Sequence, residues 1–328
     1  MAAEADSTRN GYRPEWLALE DAAGGRYIMT GDFAVDVPTY DAVFAGLSKQ
    51  WPALAEELKV WDEAIDTANH GKVEVRIYKP TIAENSLPLM IYFAGGGYIA
   101  GNLETEDAHC RIFAAKVSCL VVSVNYPKVP KVKLDNIIQV GAEAVPWARV
   151  KAKELGADPS KTILCGGSAG AFLAAQVAYR LSTEGDTTSV TGLVLLFAVA
   201  LHWKYDGKYK HMYTAWEENG YSGTPVFGKE LAEFIWAHYD VDFENPRHFP
   251  LLADDLSKFP PSYIVTAEKD CFRDDGKLLD HRLRESGVKS RLDYYQGLPH
   301  YFHMFPALDV AHEMMARAVD GVRFLLEN

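Results

Sequence analysis

Three side chains in this sequence have the types and order needed to activate a hydroxyl group. Ser168 lies within Cys165-Gly166-Gly167-Ser168-Ala169-Gly170, flanked two residues away on each side by glycine. Asp270 closes Ala267-Glu268-Lys269-Asp270, and His300 closes Gly297-Leu298-Pro299-His300. A serine hydroxyl is a weak nucleophile until a neighbouring base accepts its proton. A histidine can be that base, and a carboxylate behind it can fix the ring tautomer and stabilise the imidazolium. A bare Gly-x-Ser-x-Gly recurs by chance, so the surrounding elements decide its meaning.

Those elements are of the right kind. Lys161 to Leu164 reads as a short β-branched and apolar strand. Ala171 to Leu181 is Ala-rich and reads as a buried helix. A strand, a tight glycine turn and a helix would lift the hydroxyl above a sheet and aim a helix N-terminus at it. Asp270 follows the strand Ser262 to Thr266, and His300 follows the strand Arg291 to Tyr295. In open parallel sheets the reactive groups gather beyond the carboxyl ends of strands. His303 is the rival base, and a structural or pocket-lining role suits it better. Asp274 and Asp275 are expected to cap or charge the helix that follows them, Glu268 to make local hydrogen bonds, and Cys271 to be packed and inert.

Composition sets the limits. The chain has 328 residues, 48% hydrophobic and 24% charged, with a formal net charge of −12. This suits soluble α/β architecture and argues against nucleic acid or an anionic membrane as the main partner. No apolar run reaches the length of a membrane span. The acidic, polar start, Met1 to Asn10, does not read as a secretory signal. The four cysteines, Cys110, Cys119, Cys165 and Cys271, lack zinc or disulfide-framework spacing, and reduced thiols in a cytoplasmic enzyme are expected. No metal and no cofactor is called for.

Along the chain, residues 1–65 read as mostly helical, with one helix starting at Pro14 and a second over Thr39 to Trp51. Strands are expected at Lys72 to Lys79, Leu89 to Phe93, Leu120 to Val124 and Leu193 to Val199. Helices are expected at Thr105 to Val117, Asn136 to Leu155 with a kink at Pro146, Asp275 to Ser286 and Ala307 to Leu326. The alternation implies a mostly parallel, twisted sheet flanked by helices. Leu201 to Asn245 breaks the rhythm with a crowd of aromatic residues.

The ordered motifs resemble those of the hormone-sensitive-lipase-like esterase branch of the α/β-hydrolases, which includes microbial and fungal esterases and plant carboxylesterases. Phe93-Ala94-Gly95-Gly96-Gly97 sits where that branch has His-Gly-Gly-Gly. Gly101-Asn102-Leu103, Val124-Asn125-Tyr126, Gly156-Ala157-Asp158-Pro159, the Asp270 to Gly276 segment and His300-Tyr301-Phe302, in place of His-Gly-Phe, follow at family-like positions. The resemblance covers most of residues 70–305 and implies one α/β-hydrolase domain over 1–328. Within it, 66–200 and 246–328 form the catalytic core, 1–65 an N-terminal helical cap and 201–245 an aromatic-rich lid. Ala94, Gly167 and the stretch Pro127 to Lys131 depart from the family pattern and suggest a specialised member.

The roles implied are Ser168 as nucleophile, His300 as base and Asp270 as acid. Backbone N–H groups of Gly95, Gly96 and Ala169 are the expected oxyanion donors, a contribution of about 2.7–4 kcal/mol for one such donor. Gly97, Tyr98, Trp203, Tyr209, Tyr213 and Trp216 are the expected substrate contacts, with His202 and His211 as further candidates in the lid. The activity implied is cleavage of a carboxylic ester or lactone of a small-to-medium hydrophobic substrate through an acyl-serine. The alternative is a tailoring enzyme using the same site for elimination, acyl transfer or cyclisation. A binding module, as in the plant gibberellin receptors, is disfavoured because serine, acid and base are all present. The expected partner is a small-molecule ester, lactone or other hydrophobic metabolite, with a homodimer as the candidate assembly.

Overall fold

The computed structural model describes residues 9–82, 86–202, 204–221 and 223–327. Trp203 and nearly all of the segment Met1 to Asn10 therefore lie outside the described residues. Eight strands form one sheet: β1 Leu58–Thr67, β2 Gly71–Pro80, β3 Leu87–Phe93, β4 Leu120–Val124, β5 Ala157–Gly167, β6 Gly192–Leu196, β7 Ser262–Lys269 and β8 Ser290–Pro299. Their order is β1-β2-β4-β3-β5-β6-β7-β8. β1 and β2 pair antiparallel, as do β2 and β4, and the remaining neighbours are parallel. β4 and β6 are buried at every residue, as their unbroken apolar sequences require of strands covered on both faces.

The helices are α1 Pro14–Ala22, α2 Phe33–Ser48, α3 Asp107–Phe113, α4 Leu134–Glu154, α5 Ala169–Thr183, α6 Ala215–Asn219, α7 Lys229–His238, α8 Arg273–Glu285 and α9 Asp309–Leu326. A turn of π-helix, Ala114–Ser118, continues α3. α4 and α5 pack on each other and on β3 and β5. α9 packs on β6 and β7, and α8 on β7 and β8. α4 buries Ile137, Val140, Gly141, Ala144, Val145 and Ala148, the one-sided spacing of a helix that covers a sheet, and it runs through Pro146 without interruption.

The N-terminal region is not wholly helical. Leu58–Thr67 is the edge strand of the sheet, so the boundary expected at residue 65 falls inside β1. Only Leu58 and Ile65 of this strand are buried. An edge strand with one partner has so few buried positions that no period-two pattern marks it. α2 starts at Phe33, ahead of the expected Thr39, because Asp32 caps it: its carboxylate accepts the Ala34 N–H at 2.9 Å.

The N-terminal segment and the 201–245 insertion lie against each other. The Val226 N–H donates to the Tyr27 carbonyl at 2.9 Å. Arg26 Nη1 donates to the Gly223 carbonyl at 3.2 Å, and Phe33 meets Phe234 edge-on at 4.8 Å.

Candidate active site

Ser168 occupies the turn between β5 and α5, at φ 51° and ψ −118°. A side-chain-bearing residue rarely adopts this conformation, and it persists only where its surroundings impose it. The Ser168 N–H donates to the Leu196 carbonyl on β6 at 2.8 Å. A Cβ at Gly170 would lie 1.9 Å from the Phe93 carbonyl oxygen, so only glycine lets α5 start this close to β3.

His300 follows β8 and reaches both partners. Its Nδ1 lies 2.8 Å from Asp270 Oδ2 and its Nε2 lies 2.8 Å from Ser168 Oγ. An ionised carboxylate can only accept, so Nδ1 carries the proton and Nε2 offers its lone pair to the serine hydroxyl. Asp270 is fully buried, and its other oxygen accepts the Phe272 N–H at 2.8 Å. Phe197, Phe227 and Phe272 surround the imidazole edge-on, and Tyr301 stacks on it at 5.2 Å. His303 is elsewhere. Its ring stacks between His109 at 4.8 Å and Phe197 at 5.0 Å, and burial pushes its pKa well below the usual histidine value.

The glycine loop after β3 differs from expectation at one position. The Gly95 N–H is taken by the Glu106 carboxylate, at 2.6 Å to Oε1, so Gly95 is not an available oxyanion donor. Gly96 and Gly97 line the cavity at Ser168, and among the described residues their N–H groups donate to nothing else. Ala169 is the first residue of α5 and also faces the cavity. Gly96, Gly97 and Ala169 thus border the cavity at Ser168. Gly95 could not be set aside from the sequence, because nothing local shows which N–H a carboxylate eleven residues away will claim.

Two small pockets open at Ser168 and share Gly97, Phe227 and Ile235 in their lining. The first is lined further by Met29, Tyr40, Ile99, Val226, Leu231, His300 and Tyr301. The second is lined by Tyr98, Phe172, Val199, Trp236, Tyr239 and Phe272. Apart from His300, no lining side chain among the described residues is ionisable below the tyrosine range.

Gly97 and Tyr98 are thus at the cavity, whereas Tyr209, Tyr213 and Trp216 are not among its lining. Tyr213 is buried with its hydroxyl on Asp275 at 3.0 Å, and Tyr209 lies under Arg282 at 5.4 Å. Trp216 stands edge-on behind Phe272 at 5.3 Å. His202 packs against Trp236 at 5.0 Å, behind the second lobe, and His211 is exposed. The residues missed include Leu231, Ile235 and Trp236 of α7, with Tyr239 just after it. Their spacing puts them on one helix face, a signal the sequence did carry.

Asp274 and Asp275 charge the first turn of α8, as expected, and they also hold the insertion. Asp275 accepts the Ala200 and Leu201 N–H groups at 2.7 and 2.8 Å, and Asp274 accepts those of Thr214 and Ala215 at 2.8 and 2.7 Å. Burial raises the Asp275 pKa, and these donors oppose that rise. Glu268 accepts the Gly297 N–H at 2.7 Å, tying the acid loop to the end of β8.

A serine on a strand–helix turn, a buried His–Asp pair and a mostly parallel sheet define a hydrolase of the α/β class. Residues 90–304 match the α/β hydrolase fold family, and the chain belongs to it, in the hormone-sensitive-lipase-like branch. It is 31% identical over 322 residues to the versiconal hemiacetal acetate esterase of Dothistroma septosporum, covering 96% of this chain and 95% of that one. It is 32% identical over 232 residues to an arylesterase of Saccharolobus solfataricus, covering 70% and 73%. The structure of a hyperthermophilic esterase from Pyrobaculum calidifontis superposes with a TM-score of 0.84 at 25% identity, over 96% of this chain and 99% of that one. The protein is a carboxylic ester hydrolase of the serine type. No described helix is long and apolar enough to cross a membrane.

Proposed function

We propose that the protein cleaves an uncharged, hydrophobic carboxylic ester or lactone through an acyl-enzyme on Ser168. The observation that carries this is the continuous Ser168–His300–Asp270 contact, both links at 2.8 Å, beside the donor groups of Gly96, Gly97 and Ala169. In this reading His300 Nε2 takes the hydroxyl proton as Ser168 Oγ attacks the ester carbonyl. The three N–H groups receive the developing oxyanion. His300 then returns the proton to the departing alcohol oxygen. A water molecule, deprotonated by the same nitrogen, releases the acid and restores the serine.

The cavity walls support the substrate class. Two apolar lobes meeting at the nucleophile suit a short acyl group on one side and a hydrophobic alcohol on the other. A charged group would be desolvated in either lobe without a partner. The acetate ester named for the Dothistroma relative is the first acyl group to try. The segment before β1 and residues 201–245 act together as the roof of this cavity, through Met29 and Tyr40 on one side and Phe227 to Tyr239 on the other. The homodimer and the cytoplasmic location belong to the same proposal.

A fluorophosphonate probe should add one label per chain to the wild-type protein and none to Ser168→Ala. Wild type should turn over p-nitrophenyl acetate and butyrate and leave a succinate hemiester nearly untouched. For Ser168→Ala, kcat should fall by roughly 10⁶, the order seen when a catalytic serine is removed. Labelling elsewhere, or turnover retained by Ser168→Ala, would refute the acyl-serine.

A further inference from the structure

Positions 94 and 167, the first just before the glycine loop and the second just before the nucleophile, carry alanine and glycine, which have no polar side chain to anchor that loop. Position 301 carries a tyrosine in the left-handed region, at φ 61°, a conformation usually left to glycine. The Tyr301 ring is buried, 1% exposed, and its hydroxyl fills the space that side chains at Gly95 and Gly167 would need. A Cβ would lie 2.1 Å from that oxygen at Gly95 and 2.2 Å at Gly167. The hydroxyl donates to Glu106 Oε1 at 2.8 Å, and the same oxygen accepts the Gly95 N–H at 2.6 Å. Glu106 Oε2 accepts the Tyr92 hydroxyl from β3. Glu106 is 2% exposed; burial raises its pKa, and these three donors oppose that rise without cancelling it.

We propose that Glu106, with Tyr301, is the positioning pair of the oxyanion loop. Glu106 holds Gly95 by its N–H and so turns the N–H groups of Gly96 and Gly97 toward the reacting carbonyl. Tyr301 carries the same constraint to the base, because its ring stacks on His300. The unusual residues at 94, 167 and 301 then have one physical explanation. With no anchoring side chain at 94 or 167, the loop is held from below, by a hydroxyl that needs glycine at 95 and 167 to fit. Neither residue of the pair exchanges a proton with substrate. This proposal rests on the ester-hydrolase reading above.

The test uses Glu106→Ala, Glu106→Gln, Tyr301→Phe and the double variant Glu106→Ala/Tyr301→Phe, with rates normalised to fluorophosphonate-titrated sites. Removing an oxyanion donor outright costs about 10²–10³ in kcat, so loosening the donors should cost about 10- to 100-fold. Glu106→Ala should lose that much kcat while KM for p-nitrophenyl acetate stays within about threefold. Inhibition by a trifluoromethyl ketone, which forms a tetrahedral oxyanion on the serine, should weaken by the same factor as kcat/KM. Glu106→Gln keeps an acceptor for the Gly95 N–H and should stay within about fivefold of wild type. The double variant should be no more than about twofold below Glu106→Ala, because both residues act through one network.

Retention of kcat within twofold by Glu106→Ala overturns the proposal. So does a Glu106→Gln loss as large as that of Glu106→Ala, or single losses that multiply in the double variant. If Glu106→Ala does not fold, Tyr301→Phe decides: its kcat and trifluoromethyl ketone inhibition must weaken together, and an unchanged inhibition constant overturns the proposal. A wild-type protein that is neither labelled nor active overturns the ester-hydrolase reading and this proposal with it. An active wild type with an unaffected Glu106→Ala overturns this proposal alone.

Discussion

Replacing His109 by phenylalanine should flatten the acid side of the stability profile. His109 lies on α3, 1% exposed, between Trp51 at 5.4 Å and the stacked His303 ring at 4.8 Å. Burial lowers its pKa to about 3. In the unfolded chain a histidine titrates near 6.5. The folded state thus favours the neutral ring, and this stability is fully present above about pH 6.5 and lost as the pH falls toward 3. Within that window the loss is about 1.4 kcal/mol per pH unit for one histidine, or roughly 2 kcal/mol between pH 7 and pH 5. Phenylalanine keeps the stack and removes the proton. Urea unfolding followed by far-UV circular dichroism at pH 7, 6 and 5 measures the difference. The stability of His109→Phe relative to wild type should rise by about 2 kcal/mol from pH 7 to pH 5. A difference that stays constant across the three pH values would refute the argument. The stack matters for function because His303 follows His300 closely and packs on Phe197, which also touches the His300 ring.

Two further substitutions test the packing of the site. Trp236 lines the second lobe and Trp216 does not, so Trp236→Ala should shift the acetate-to-octanoate ratio of kcat/KM by at least about fivefold toward the longer acyl group, a few methylenes' worth of pocket discrimination. Trp216→Ala should leave the ratio unchanged and lower stability by about 3–5 kcal/mol, as truncation of a buried tryptophan does; a shifted ratio in Trp216→Ala would refute the lining assignment. Gly170→Ala should lower the melting temperature and the fraction of protein labelled by the probe, through overpacking of at least about 1–3 kcal/mol against the Phe93 carbonyl. An unaffected Gly170→Ala would refute the close approach of α5 to β3 at this turn.

The parts of the fold legible in the sequence are those in which one residue reports on its own environment. β4 and β6 are buried on both faces, so each is an unbroken apolar run. β1 pairs only with β2 and buries only Leu58 and Ile65, so its sequence carries charges at Lys59, Asp62, Glu63 and Asp66 and gives no alternation. The same logic applies to the 201–245 insertion. Its aromatic density was visible, but density does not say which ring faces the cavity. Helix geometry does, since Leu231, Ile235 and Tyr239 recur every fourth residue and end on one side of α7 and its C-terminus.

In the site the boundary is set by sequence separation. Ser168, Asp270 and His300 could be picked because each directly follows a strand of a parallel sheet, and strand ends converge by topology alone. Glu106 and Asp275 are as buried as the acid of the triad, yet no local pattern marks them. Glu106 serves Gly95 in the loop before it and Tyr301 beyond β8, and Asp275 serves Ala200, Leu201 and Tyr213. Both are carboxylates that collect backbone N–H groups and a tyrosine hydroxyl, and both connect a loop at the catalytic face to an element far along the chain. A buried carboxylate must find such donors or remain uncharged. In this protein that requirement ties the glycine loop after β3 and the start of the 201–245 insertion to the two segments that bring in His300 and Asp270.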